Sequence, residues 1–425
     1  MKWLSEYQIK MENTSILSIK DGDGDLLIQS TTQKPLIQGN SIAGGLRALL
    51  SETYECDIIE KMFGSSKDET DFGKSKITIS DAHGAYLQTE SRTHVKIDSA
   101  LGIVDVKNNR GQLMTQSFLV PNIEFEWQLK IEADSKEEIE LYETMVNQGL
   151  ASIQQNLIKF GSKKTSGAGA FKINEVKKRK IELTNPKSLI GYLKNELPFD
   201  KLDMVLFDQF QPVSHEVFSV GLCTASPLLI GGNSYYDSEK PDRMNIKNGR
   251  GKYIIPGSSL KGVFRQHCDK LSIYFHCPEI VNELFGSDND DIQTAGRVYF
   301  DDLIMKNVND KIISNRIHID RFTGGVMEGA LVSELPIVGT CDLKIIMHAL
   351  PDKDKNNKAV GLILLALKDL ADGSLTLGSG YAIGRGRFSG KVIKHNDTIA
   401  IDFEKNDNTY ALEYVKKLNT QEGRV

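Results

Sequence analysis

The chain has 425 residues, more than one hydrophobic core usually holds, so two domains are the default expectation. With 40% hydrophobic and 26% charged residues and a net charge of −5, the composition is that of a globular chain and excludes a uniformly basic nucleic-acid binder, though not a local basic patch. No apolar run approaches the roughly 20 residues of a membrane span, the start MKWLSEYQIK lacks an apolar signal core, and five scattered cysteines form no CxxC pair, so a cytoplasmic setting with no membrane partner is expected.

In chain order, residues 10–18 read as a strand, followed by the acidic turn DGDGD at 21–25 and a helix over 41–53 that opens at IQGNSIAGGLR. The turn superficially resembles a calcium loop, but position 12 is Thr32, where a closing Glu is required. A strand over 76–82, a connection at 92–99 (RTHVKIDS), a strand over 123–133 and an amphipathic helix over 137–159 lead to the loop FGSKKTSGAGAF at 160–171. Pro186, Pro198 and Pro212 then interrupt the pattern.

The second half repeats the plan: strands over 216–223 and 297–303, a long connection at 315–325, a strand over 341–349, a helix over 358–371 and the loop LGSGYAIGRGRF at 377–388. Ile37 and Ile255 open matching segments 218 residues apart; Phe63-Gly64 pairs with Phe285-Gly286, Asp81 with Asp301, Asp98 with Asp320, and Gly161-Ser162 with Gly378-Ser379 at nearly the same spacing. The expected domains are therefore 1–185 and 214–425 with a linker at 186–213, each half in the order β, α, β, β, α, β of a ferredoxin-like or RNA-recognition sheet.

The chemistry concentrates at the helix starts and glycine loops. IPGSSLKGVFR at 255–265 places Ser258 and Ser259 as candidate N-caps and Lys261 and Arg265 in the first turns, where free N–H groups suit phosphate; Ser41 and Arg47 hold matching positions in the first half. The alternative is a merely capped helix. In the second loop, Gly378, Gly380 and Gly384 allow close backbone approach and Arg385 and Arg387 supply phosphate contacts, while Lys163 and Lys164 begin a basic stretch that runs to Lys187; a structural turn and a solvated face are the alternatives. The dinucleotide fingerprint fails at Ile383, and the His267-Cys268 and His276-Cys277 doublets match no common zinc spacing.

These motifs, with Leu284-Phe285-Gly286 and Arg316-x-His318-x-Asp320-Arg321-x-Thr323-Gly324, resemble the RAMP superfamily of CRISPR-associated proteins, and most closely the fused backbone subunits of type III-D effector complexes. The resemblance spans 214–395 strongly and 10–173 more weakly. It implies an α+β fold of tandem ferredoxin-like (RRM-like) domains with thumb-type hairpins, and CRISPR guide RNA, target RNA and other type III subunits as partners. His318 and Arg321 lie in the long connection of the second half and are expected at RNA, with insertion-loop packing the alternative for His318. In catalytic members an aspartate about a dozen residues before the helix start supports cleavage of target RNA with Mg2+ or another divalent cation; Asp242 and Asp25 fit by position, with Asp237 and Asp23 competing. An endoribonuclease subunit, a non-catalytic RNA-binding scaffold and a guide-precursor processing enzyme stay open.

Overall fold

The computed structural model describes residues 2–65, 73–95, 106–107, 110–111, 113–204, 207, 215–231, 240–289, 292–329 and 331–418, so Asp98 and Asp237 lie outside the described residues. The chain forms two compact units: Met1–Glu90 with Ser117–Lys164 and Ala168–Val213, and Ser91–Gln116 with Thr165–Gly167 and Ser214–Val425.

The first unit is built on β1 (Trp3–Asn13), β2 (Ile77–Ile79), β3 (Ala82–Gly84), β6 (Glu124–Ala133) and β7 (Phe171–Glu182). Between β3 and β6 in the chain, β4 (Thr89–Val95) and β5 (Leu113–Leu119) form a separate two-stranded sheet, most of which belongs to the second unit's segment Ser91–Gln116. In the sheet β1 lies between β7 and β6, and β2 and β3 pair with β6, all antiparallel, which is the strand order of a ferredoxin-like sheet. Alternation explains the strands: Phe125, Trp127, Leu129 and Ile131 of β6 are buried while Glu126 and Gln128 between them are exposed. The first strand starts at Trp3 rather than residue 10, because Tyr7, Ile9 and Met11 carry the buried face.

Helix α1 (Gly39–Leu50) precedes α2 (Cys56–Phe63), and α3 (Lys136–Gln154) covers β1, β6 and β7. Its buried Ile139, Tyr142, Val146, Leu150 and Ile153 follow the 3.6-residue period, and Ser135 caps it by accepting from Glu138 N–H. The segment expected as a linker carries α4 (Pro186–Leu193) and the two-residue strand Asp200–Lys201, which pairs with β7.

The second unit has β8 (His215–Thr224) at the centre, between β13 (Val338–His348) and β14 (Phe388–His395); β9 (Val298–Phe300) and β10 (Lys306–Asn309) pair with β13, and β15 (Thr398–Asp402) with β14. All are antiparallel. A small separate sheet sets the two-residue strand Arg243–Met244 beside β12 (Val332–Leu335), which pairs with β11 (Ser314–Arg316). Helices α5 (Gly257–Tyr274), α6 (Glu279–Phe285) and α8 (Thr409–Leu418) pack on α7 (Lys353–Ala371), whose buried Val360, Ile363, Leu364, Leu367 and Leu370 reach β8 and β14. Among the described residues no helix is long and apolar enough to cross a membrane.

Candidate nucleic-acid interface

The two helix starts are built alike, and not as the sequence suggests. The N-caps are Gln38 and Pro256, with Ser41, Ser258 and Ser259 already inside the first turn, and neither cap makes a side-chain hydrogen bond. An aspartate from the following strand region does the capping instead: Gly39 N–H donates to Asp81 Oδ1 and Gly257 N–H to Asp302 Oδ1, both at 2.8 Å. Asp302, not Asp301, is thus the counterpart of Asp81. A carboxylate thus already satisfies the first N–H of each helix and places a negative charge beside its N-terminus. Both glycines are required, because a Cβ would come within 2.4 Å of Ile79 O or 2.5 Å of Phe300 O. Lys261 Nζ donates to Thr165 Oγ1 at 2.8 Å, Arg265 is half-buried one turn beyond it, and Arg47 is half-buried in the last turn of α1.

The glycine loops also share a plan. Phe160 N–H donates to Gly169 O and Leu377 N–H to Gly386 O, each at 2.9 Å, closing the two loops. Gly161 and Gly378 both have φ +82°, with Ser18 O and Leu229 O at 2.5 and 2.6 Å from a would-be Cβ, so these glycines serve closure. Gly380 and Gly384, at φ +84° and +82°, flank a single turn at Tyr381–Ile383, and the space beside Gly384 is open.

Arg385 does not reach outward. Its Nη1 donates to Glu334 at 2.6 Å and its Nη2 to Ser314 Oγ at 3.1 Å, and both guanidinium and carboxylate are buried. Glu334 is the hub of a cluster that sequence reasoning missed: Arg243 Nη1 and Arg316 Nη1 lie 3.6 and 3.5 Å from its other oxygen, their side chains 59% and 46% exposed. One buried carboxylate therefore holds the loop, the hairpin base and the Arg243 strand together, leaving two outward guanidinium groups fixed close to one another.

Asp242 borders this cluster. Its Oδ2 accepts from Ser333 N–H at 2.7 Å and Ser333 Oγ at 3.0 Å, and these hydrogen bonds hold its carboxyl below the usual range. It is exposed, and with its carboxyl held below the usual range it stays ionised near neutral pH. Asp25 is exposed in the acidic turn, where Asp21 Oδ1 accepts from Asp23 N–H and Asp25 N–H at 3.0 Å each. Among the described residues no group of three or more His, Cys, Asp or Glu is placed to hold a metal ion, and His267 is bonded to Asp369 at 2.7 Å.

Beyond β11 the chain projects as an exposed excursion that carries His318 and Arg321. Asp320 Oδ1 accepts from Phe322 N–H and Thr323 N–H, fixing its turn. Ile317, Ile319 and Val326 are largely exposed and Phe322 is 100% exposed.

The basic stretch between Lys159 and Lys187 is mostly neutralised. Lys172 pairs with Glu12, Lys177 with Glu175, Lys178 and Lys180 with Glu143, and Arg179 with Glu6. Lys163 and Lys164 are exposed and, among the described residues, outside any ion pair, and Arg387 is exposed as well. On the outer face of β1 and β6, Lys10 pairs with Glu124 and Glu126 beside Gln8 and Gln128. Exposed His83 of β3 lies opposite Glu126 on this face, and the Tyr192 and Phe199 rings lie 5.5 and 4.4 Å from the Arg179 guanidinium.

Both units are thus antiparallel α+β, and their outward cations sit on loops and at a hairpin base. Residues 22–172 and 222–389 match the profile of the RAMP superfamily, which is most of the chain; the chain belongs to that superfamily. No curated protein matches. Among solved structures it is similar to a chain of the cryo-EM structure of the Type III-B Cmr-beta bound to cognate target RNA, at 10% identity and a TM-score of 0.34. That match covers 42% of this chain and 61% of the other.

Proposed function

We propose that the chain is a backbone subunit of a type III RNA-guided effector complex, with two ferredoxin-like domains in tandem, each bearing a thumb-type hairpin. It binds guide RNA, presents complementary target RNA to its acids, and works in the cytoplasm with other effector subunits. The observation that carries this reading is the convergence at Glu334 of the glycine loop, the hairpin base and the Asp242 strand in a member of the RAMP superfamily. Phosphate contacts fall to Arg243, Arg316, Lys163, Lys164 and Arg387, with Ser41, Arg47, Ser258, Ser259, Arg265, His318, Arg321, Gly380 and Gly384 lining the approach.

Magnesium is commonly held by one or two carboxylates together with substrate phosphates, and a lone Asp242 or Asp25 fits that mode. When bound it would neutralise charge on the scissile phosphate. The chain's own part is to fix the carboxylate: the Ser333 bonds set the Asp242 rotamer and the neighbouring guanidinium groups orient the phosphodiester. The test is incubation of the assembled complex with complementary RNA and Mg2+. Asp242→Ala should remove one product and Asp25→Ala another, with target affinity nearly unchanged. Unaltered cutting with both replaced leaves the chain a scaffold, a second reading favoured by the Asp242 oxygen already spent on Ser333.

A further inference from the structure

Helix α4 in the first unit is built inside out. Pro186, Leu189, Ile190 and Leu193 fall on one side of it, within an arc of about 100°. That side faces water: Leu189, Ile190 and Leu193 are 36%, 52% and 73% exposed, and no residue of the helix is buried. What holds the helix is polar. Arg179 of β7 lies against the Tyr192 and Phe199 rings, its Nη1 donates to Asn195 Oδ1 at 3.1 Å and Leu197 O at 3.2 Å, and its Nε donates to Glu6 at 2.7 Å. Asn185 caps the helix by accepting Lys187 N–H at 3.0 Å, and the strand Asp200–Lys201 ties the far end of the segment to β7.

An eight-residue helix is too short to persist on propensity alone and ordinarily draws its stability from a buried apolar face. Here the order comes from the arginine beneath, and the apolar ridge is left uncovered. A ridge held rigid in this way marks an interaction site. Lys187 and Lys194 are exposed along one edge of it and, among the described residues, stand in no ion pair; Glu196, the nearest carboxylate along the chain, lies past the helix end.

We propose that α4 is a docking ridge for a different protein chain: Leu189, Ile190 and Leu193 enter an apolar groove whose rim carries Asp or Glu opposite Lys187 and Lys194. The charges select this occupant. Two copies of this chain paired antiparallel through α4 would set the lysines of one against those of the other, and paired parallel they would align two helix dipoles. Three aliphatic side chains offer RNA neither a stacking ring nor a hydrogen bond. A helix of about 12 Å buries too little apolar area to hold a bilayer surface. The proposal rests on the function proposed above in one respect, that the partner is sought among co-expressed effector subunits.

The experiment places photoreactive benzoylphenylalanine at Leu193 of the full chain in the assembly purified with those subunits. The expected result is a crosslink to a different chain, at an apolar stretch bordered by acidic residues. Ile190→Gln with Leu193→Gln should lower recovery of that chain about tenfold. The melting temperature of the isolated chain should stay in place, since α4 has no buried residue. Lys187→Glu with Lys194→Glu should lower recovery as well, and Lys in place of the partner's rim acids should restore it; this pair carries the test if the glutamine pair fails to fold. Crosslinks only to RNA or to a second copy, a crosslinked segment without acids, or full recovery with either pair in a folded chain overturn the docking ridge. So does binding of the isolated chain to phosphatidylserine vesicles that the glutamine pair abolishes. An RNA-free assembly that keeps the crosslink and its charge dependence sinks the proposed function and keeps the docking ridge; an RNA-bearing assembly without the crosslink does the reverse; absence of any partner chain overturns both.

Discussion

Arg385→Ala distinguishes a structural arginine from a phosphate ligand in the second glycine loop. The substitution removes the 2.6 Å contact to Glu334 and the 3.1 Å contact to Ser314 and leaves a buried carboxylate short of its nearest cation. Breaking a buried pair from one side costs about 3–5 kcal/mol, but Arg243 and Arg316 remain near the other oxygen, so about 2–3 kcal/mol is expected. For a unit of roughly 200 residues that lowers the melting temperature by about 5–10 °C, which a thermal scan of the full chain reads directly. Adding Glu334→Gln should recover part of the loss, because the uncompensated charge leaves with its partner. A melting temperature unchanged within about 1 °C, together with weakened RNA binding and a flatter salt dependence, would refute the structural role and return Arg385 to the phosphates.

Replacing Lys163, Lys164 and Arg387 together by Ala should weaken binding of all RNA sequences alike and reduce the salt slope by up to about 2, as filter binding across salt concentrations would show. Glu216 is held down to about 2 from the ordinary 4.5 by hydrogen bonds from His395, Asn356 and Asn396. A depressed carboxyl stabilises the fold at pH above its unfolded value and loses that contribution as pH falls toward the folded one, so Glu216→Gln should flatten the acid limb of a stability profile between about pH 5 and 2. Gly386→Ala should abolish folding, since its Cβ would lie 1.9 Å from Leu377 O at φ +73°, whereas Gly384→Ala, with open space at φ +82°, should cost only about 1–2 kcal/mol by urea unfolding.

The elements with strong local signals were legible. Alternation placed the strand over 123–133 within one residue of β6, and the glycines of the two loops were in register because closure demands the same φ at the same spacing. The helix caps were not legible, because Asp81 and Asp302 arrive from 42 and 45 residues away and no local pattern announces them. Cross-strand pairing hid the fate of the basic stretch: Glu6, Glu12 and Glu143 neutralise it from β1 and α3. Glu334 escaped notice for a related reason. A single acid in a hydrophobic strand context carries no signature until folding brings three arginines from separate segments around it.

The remote caps set a clock on biosynthesis. Neither α1 nor α5 can exchange water for its capping carboxylate at the first N–H until some 42–45 further residues have been made and folded back. At about 5–20 residues per second a ribosome needs roughly 2–9 s for that stretch, long compared with the microsecond or shorter relaxation of a helix. During that interval each nascent helix start lacks its cap and its apolar side stays open to water, so neither unit can close within the first seconds after its helix emerges.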